Sequence, residues 1–193
     1  MKKLIFVVIC LFSIASAKAN CLTGVVTAPI VDSITVDLAG NVTICWQPSS
    51  DPDIVSYTIF MVNPITGAND SINIVAHPGN CFTIPAAMNN SDFEIIQLGV
   101  VAIDACNNPS PVGVNYHNTM VLTNSVDICS ASIDLDWNPY DDFTSGTNVL
   151  YQVFVSINAG PFTLAGTTTD TFYTYNGIIQ GSTYDFYIRA VEN

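Results

Sequence analysis

Apolar and polar residues alternate in short runs along most of this chain, and almost no stretch carries the three-to-four residue spacing of a helix. In "VTICWQ" at 42–47, Val42, Ile44 and Trp46 fall on one face and Thr43, Cys45 and Gln47 on the other. The runs "YTIFMV" from Tyr57 and "IDLDW" ending at Trp137 alternate in the same way. Clusters of Gly, Pro, Asn, Asp and Ser bound these runs, which is the punctuation of antiparallel strands joined by turns. The pattern predicts an all-β chain.

The runs also repeat. "VTICWQPS" at 42–49 matches "IDLDWNPY" at 133–140, which sets Trp46 against Trp137 at a spacing of 91. "YTIFMV" matches "YQVFVS" from Tyr151, and "CFTIP" from Cys81 is aligned with "TFYTY" from Thr171. Ile96, Leu98, Val100 and Ala102 match Tyr184, Phe186, Ile188 and Ala190. Two copies of one small β-domain follow, over 20–121 and 122–193. Because a one-residue slip would turn a strand's apolar set outward, the alternation also predicts the core. It comprises Val42, Ile44, Trp46, Tyr57, Ile59, Phe82, Ile84, Leu98 and Val100, then Leu135, Trp137, Tyr151, Val153, Phe172, Phe186 and Ile188.

The order of these elements resembles the fibronectin type III module: a Trp late in strand B with Pro two residues on, a Tyr opening strand C, and a Y-x-F-x-I-x-A strand F. The resemblance implies two tandem immunoglobulin-like β-sandwiches, the second lacking its last strand, G. It also implies that the Tyr184 hydroxyl bonds back to the strand-linking turn, a place that Ile96 takes in the first copy. "CWQPSSDPDIVSYTIF", "AIDACNNPSP" and "SINAGPFTLAGTTTDTFY" resemble modules of large exported adhesion proteins in gliding, type IX secreting bacteria. In this fold strands B and E are neighbours, so Cys45 and Cys81 are expected to face one another and form a disulfide. Cys106 after strand F and Cys129 before the second strand B are expected to lock the junction between the copies. Cys21 is left without a partner.

Composition narrows the setting. Residues 1–19 read as a secretory signal, with Lys2 and Lys3, an apolar run from Leu4, and Ala17-Lys18-Ala19 ahead of a cut near Ala19. The rival reading there is lipidation at Cys21. The apolar run is too short for a transmembrane helix. After the cut Arg189 is the single basic residue against sixteen carboxylates, which excludes nucleic acid as a partner. Five cysteines without a CxxC pair point to disulfides in an exported protein rather than to zinc.

Candidate chemistry is thin. His77 and His117 read as surface imidazoles with no patterned nucleophile nearby, so no catalytic residue and no cofactor is predicted. Asp136, Asp141 and Asp142 are weak calcium candidates beside the Asn138 carbonyl, lacking the D-x-D-x-D-G loop. The "DSI" motifs at Asp32 and Asp70 mark Ser33 and Ser71 as O-glycosylation candidates. The leading expectation is a non-enzymatic secreted or cell-surface spacer or adhesion repeat, with protein or surface glycan as partner. The alternative is an accessory region of an exported glycan- or protein-degrading enzyme. For the strand F edge at 184–191, two readings stand: a strand donated by a partner, or a longer native chain beyond Asn193.

Overall fold

The computed structural model describes residues 26–89, 91, 94–111, 116–140 and 149–192. The first half contains β1 (Ile30–Val36), β2 (Val42–Gln47), β3 (Ile54–Val62), β4 (Asn69–Ala76), β5 (Cys81–Ile84), β6 (Gln97–Asp104) and the short β7 (His117–Asn118). They form two antiparallel sheets in the orders β1-β2-β5 and β4-β3-β6-β7. The second half contains β8 (Leu122–Asp127), β9 (Ser132–Trp137), β10 (Val149–Ile157), β11 (Thr163–Thr168), β12 (Phe172–Asn176) and β13 (Tyr184–Glu192). Its sheets run β12-β9-β8 and β11-β10-β13, the same topology as the first pair except that β13 has β10 as its only neighbour among the described residues. Two tandem β-sandwiches result, and the one helical element described is a 3-10 turn at Ala86–Met88.

Each core is built on the tryptophan of its second strand. Trp46 and Tyr57 are fully buried, their rings 5.4 Å apart and tilted by 59°. Trp137 and Tyr151 repeat this at 5.5 Å and 67°. Both tyrosines put an amphipathic side chain to double use, the ring in the core and the hydroxyl on a loop. Ser49 N–H donates to the Tyr57 hydroxyl at 2.7 Å, and Tyr140 N–H donates to that of Tyr151 at 3.0 Å. The donor in each case lies three residues past the tryptophan, so the loop leaving β2 or β9 is tied to the strand that follows.

One expected core residue is misplaced. Phe172 is 57% exposed, whereas Tyr173 packs against the second core. The cause is a one-residue slip between the copies. Trp46 N–H donates to Asn80 O, and Trp137 N–H donates to Thr171 O, so the tryptophan spacing of 91 carries through to β5 and β12. Phe172 therefore corresponds to Cys81 on the outer face, and Tyr173 to Phe82, which is half-buried against the first core. The run "FYTYN" has bulky aromatics on both faces, so alternation alone does not choose between the two registers.

The Tyr184 hydroxyl accepts the N–H of Ile179 at 2.7 Å, tying the β12–β13 turn to β13. The first sandwich, with Ile96 there, builds this corner from polar side chains. Asn89 Nδ2 donates to Pro85 O and Gly40 O, and Ser91 Oγ donates to Gly40 O, so the segment after β5 is anchored on the β1–β2 turn.

Candidate functional site

Cys45 and Cys81 are direct cross-strand partners on β2 and β5, with Cα atoms 4.1 Å apart and a disulfide between them. The bridge lies on the outer face because Ile44 and Trp46 on either side of Cys45 point inward. The second expected bridge does not form. Cys129 carries a free, exposed thiol, and Cys106 is in a disulfide but not with Cys129. Strand direction explains this. β6 starts beside β7 at the junction and carries Cys106 away from it; β8 starts at the junction and carries Cys129 away in the other direction. Each strand covers roughly 20 Å or more at about 3.3 Å per residue, so the two cysteines lie at opposite ends of the tandem.

The junction is held by a residue whose role the sequence hid. His117, expected at the surface, is 4% exposed, and its Nδ1 is 2.6 Å from the hydroxyl of Tyr140, itself 8% exposed. Asn118 Nδ2 donates to Pro139 O, and Asn138 Oδ1 accepts the N–H of Val121 while its Nδ2 donates to Thr119 O. Thr119 exchanges hydrogen bonds with Ile96 in the first sandwich, N–H to O at 2.9 Å and Ile96 N–H to Oγ1 at 2.9 Å. The connection from β7 to β8 is therefore bonded on both sides. His77, by contrast, is half-exposed, with its Nδ1 2.9 Å from the Tyr57 hydroxyl.

Of the calcium candidates, Asp136 is exposed on β9 between Thr123 and Phe172, while Asp141 and Asp142 lie outside the described residues. Among the described residues no three His, Cys, Asp or Glu side chains converge. Ser33 sits half-buried beside a register shift in β1, and Ser71 is exposed beside one in β4, both on edge strands of the first sandwich.

Asp104, which drew no attention in the sequence, organises the turn after β6. Its Oδ1 accepts the N–H groups of Asn108 and Cys106, and its Oδ2 accepts Asn108 Nδ2 at 2.8 Å. The backbone and side-chain bonds from Asn108 hold its carboxyl below the usual range, and the N–H of Cys106 adds to this. A carboxylate with a depressed folded pKa stabilises above its unfolded value, near 3.9, and loses that contribution as pH falls through the folded value. The melting-temperature difference between wild type and Asp104→Asn is therefore expected to be constant near neutral pH and to shrink below about pH 4. A difference unchanged into strong acid would contradict this role. The signal was the Asx spacing in "DACNN", a side chain bonding to N–H groups two and four residues on.

The polar contacts are those of turns, corners and a junction. Residues 122–193 match the PBP1-like, fibronectin3-like domain family. No curated protein matches the chain in sequence. Solved structures resemble it at low identity. The central fibronectin-III array of RIM-binding protein is 20% identical with a TM-score of 0.37, over 86% of this chain and 58% of that one. The chicken interferon gamma receptor alpha chain is 15% identical with a TM-score of 0.36, over 86% of this chain and 89% of that one. The FN1-FN3 domains of chicken CNTN1 are 11% identical with a TM-score of 0.35, over 86% and 67% respectively.

The fibronectin3-like region differs from the first sandwich along β13. Ile96, just before β6, and Leu98, Val100 and Ala102 on it are buried, but their counterparts Tyr184, Phe186, Ile188 and Ala190 are only half-buried. A cleft of about 630 Å³ opens beside them, walled by Leu122 and Leu135, by Tyr184 and Phe186, and by Leu38 of the first sandwich. Its volume would suit a small ligand, and Asn124, Ser156 and Asp185 place polar groups among its apolar walls.

Proposed function

We propose that this chain is an exported, non-enzymatic spacer in a surface or adhesion protein, two sandwiches long and set at a fixed angle. The observation that carries the reading is the junction. Three residues separate β7 from β8, and a flexible linker of that length would leave its backbone groups to water. Here they bond to Ile96 on one side and Asn138 on the other, over the buried His117–Tyr140 pair. Buried hydrogen bonds of this kind are costly to break singly, so bending at the junction is opposed. The match of 122–193 to a fibronectin3-like family supports a non-catalytic role. The Cys45–Cys81 disulfide accords with an oxidising, extracellular setting. Among the described residues no helix is long and apolar enough to cross a membrane. A protein or surface glycan is the partner class this reading carries, and Ser33 and Ser71 remain candidate glycosylation positions on its edge strands.

Residual dipolar couplings and small-angle scattering test the spacer. Wild type is expected to fit one inter-sandwich orientation, and Asn138→Ala, which strips Val121 N–H of its side-chain acceptor and Thr119 O of one of its two donors, to fit only a distribution. A wild-type protein that already samples a broad range of angles would overturn the reading.

A further inference from the structure

We infer that Cys106 is bonded to Cys21, which stitches the N-terminal end of the mature chain onto the first sandwich and leaves Cys21 no thiol to carry a lipid. The sequence has six cysteines, at positions 10, 21, 45, 81, 106 and 129. Cys45 and Cys81 hold one another, Cys129 is free, and Cys106 is in a disulfide. Only Cys10 and Cys21 are left to it, and both lie outside the described residues. Cys10 falls in the apolar run of the expected signal, which is cut off near Ala19.

The chain enters the first sandwich at the pole where Cys106 sits. Val26 is buried in the first core, and β1 begins with Ile30 beside Gln47, the last residue of β2. Ala105 N–H donates to the carbonyl of Asp53, in the loop from β2 to β3, so the turn after β6 closes on that same end. Val26 is five positions past Cys21, a reach of up to about 17 Å. Packed sheets lie about 10 Å apart, so this length is enough to cross from β1 in one sheet to the end of β6 in the other. The receiving turn is held in place, because Cys106 N–H and Asn108 N–H both donate to Asp104 Oδ1. Bond formation takes two protons and two electrons from the two thiols, and one disulfide of an exported thiol oxidant accepts them and leaves as a dithiol. The inference rests on the export part of the spacer reading and makes the N-terminal pole a closed tip, so attachment to a surface falls to other parts of the protein.

Non-reducing peptide mapping of the exported protein tests this, with free thiols alkylated in denaturant. The Cys21 and Cys106 peptides are expected as one species, lighter than their sum by two hydrogens. One free thiol is expected in wild type, at Cys129, two in Cys106→Ser or Cys21→Ser, and one again in the double variant. The wild-type map does not depend on any variant folding. A thioether-linked lipid on Cys21, a single thiol in either single variant, or Cys106 recovered with Cys10, Cys129 or a second copy would overturn the inference. The spacer reading fails instead on a broad range of inter-sandwich angles, so the two failures are told apart.

Discussion

Replacing Trp46 by alanine is expected to destabilise the first sandwich by about 3–5 kcal/mol, the range for emptying a large aromatic site in a packed core. Trp46 has no exposed surface, lies against Tyr57, and is flanked on its strand by the buried Ile44. Most small domains are stable by only about 5–15 kcal/mol, so this variant is expected to be marginal at room temperature. Its indole Nε1 is buried with no hydrogen-bond partner among the described residues, so Trp46→Phe forfeits no bond and is expected to cost much less. The equivalent Trp137→Ala is expected to cost less than Trp46→Ala, because Phe186 and Ile188 around the second core are already half-exposed. Denaturant unfolding of the three variants checks the order. Equal losses at the two tryptophans would contradict the difference between a closed and an open sandwich.

Removing the disulfide in a Cys45→Ser/Cys81→Ser variant is expected to cost about 4 kcal/mol, from the loop entropy returned to the unfolded chain. The bridge closes 36 residues that include β3 and β4, so the whole centre of the first sandwich is inside the loop. The second sandwich has Asp136 opposite Phe172 at the same place and is unbridged there. Thermal unfolding in the presence of a reductant should therefore lower only the first transition. Non-reducing peptide mapping should recover Cys45 joined to Cys81 and Cys129 as a free thiol. A bridge between Cys45 and any other cysteine would break the β2–β5 register on which the core assignment rests.

The β2 and β9 strands were readable because each buries one face, and burial of one face writes a period of two into Ile44, Trp46, Leu135 and Trp137. β12 was not, since Phe172, Tyr173 and Tyr175 put aromatic rings on both faces, and only the bond from Trp137 N–H to Thr171 O picks the register. Cysteine pairing divided in the same way. Cys45 and Cys81 belong to neighbouring strands of one sheet, where register predicts contact. Cys106 and Cys129 were matched through the idea that loops at a junction converge, and the direction of β6 and β8 carries both away from it.

The candidate site shows the same limit more sharply. A single histidine in "NYHNTM" has no local pattern that marks it as buried, because the group that buries it, Tyr140, belongs to the other sandwich. Local alternation, the doubled tryptophan motif and the charge balance determined by themselves that the chain is two acidic β-sandwiches, with the inward face legible on the alternating strands but not on β12. Such features depend on residues close in sequence or on composition, so they survive without coordinates. Only the tertiary structure decided the junction, the register of β12, the free thiol at Cys129 and the unequal closure of the two cores. Each of these is set by groups far apart in the chain, whose meeting is fixed by strand direction and register rather than by any spacing along it.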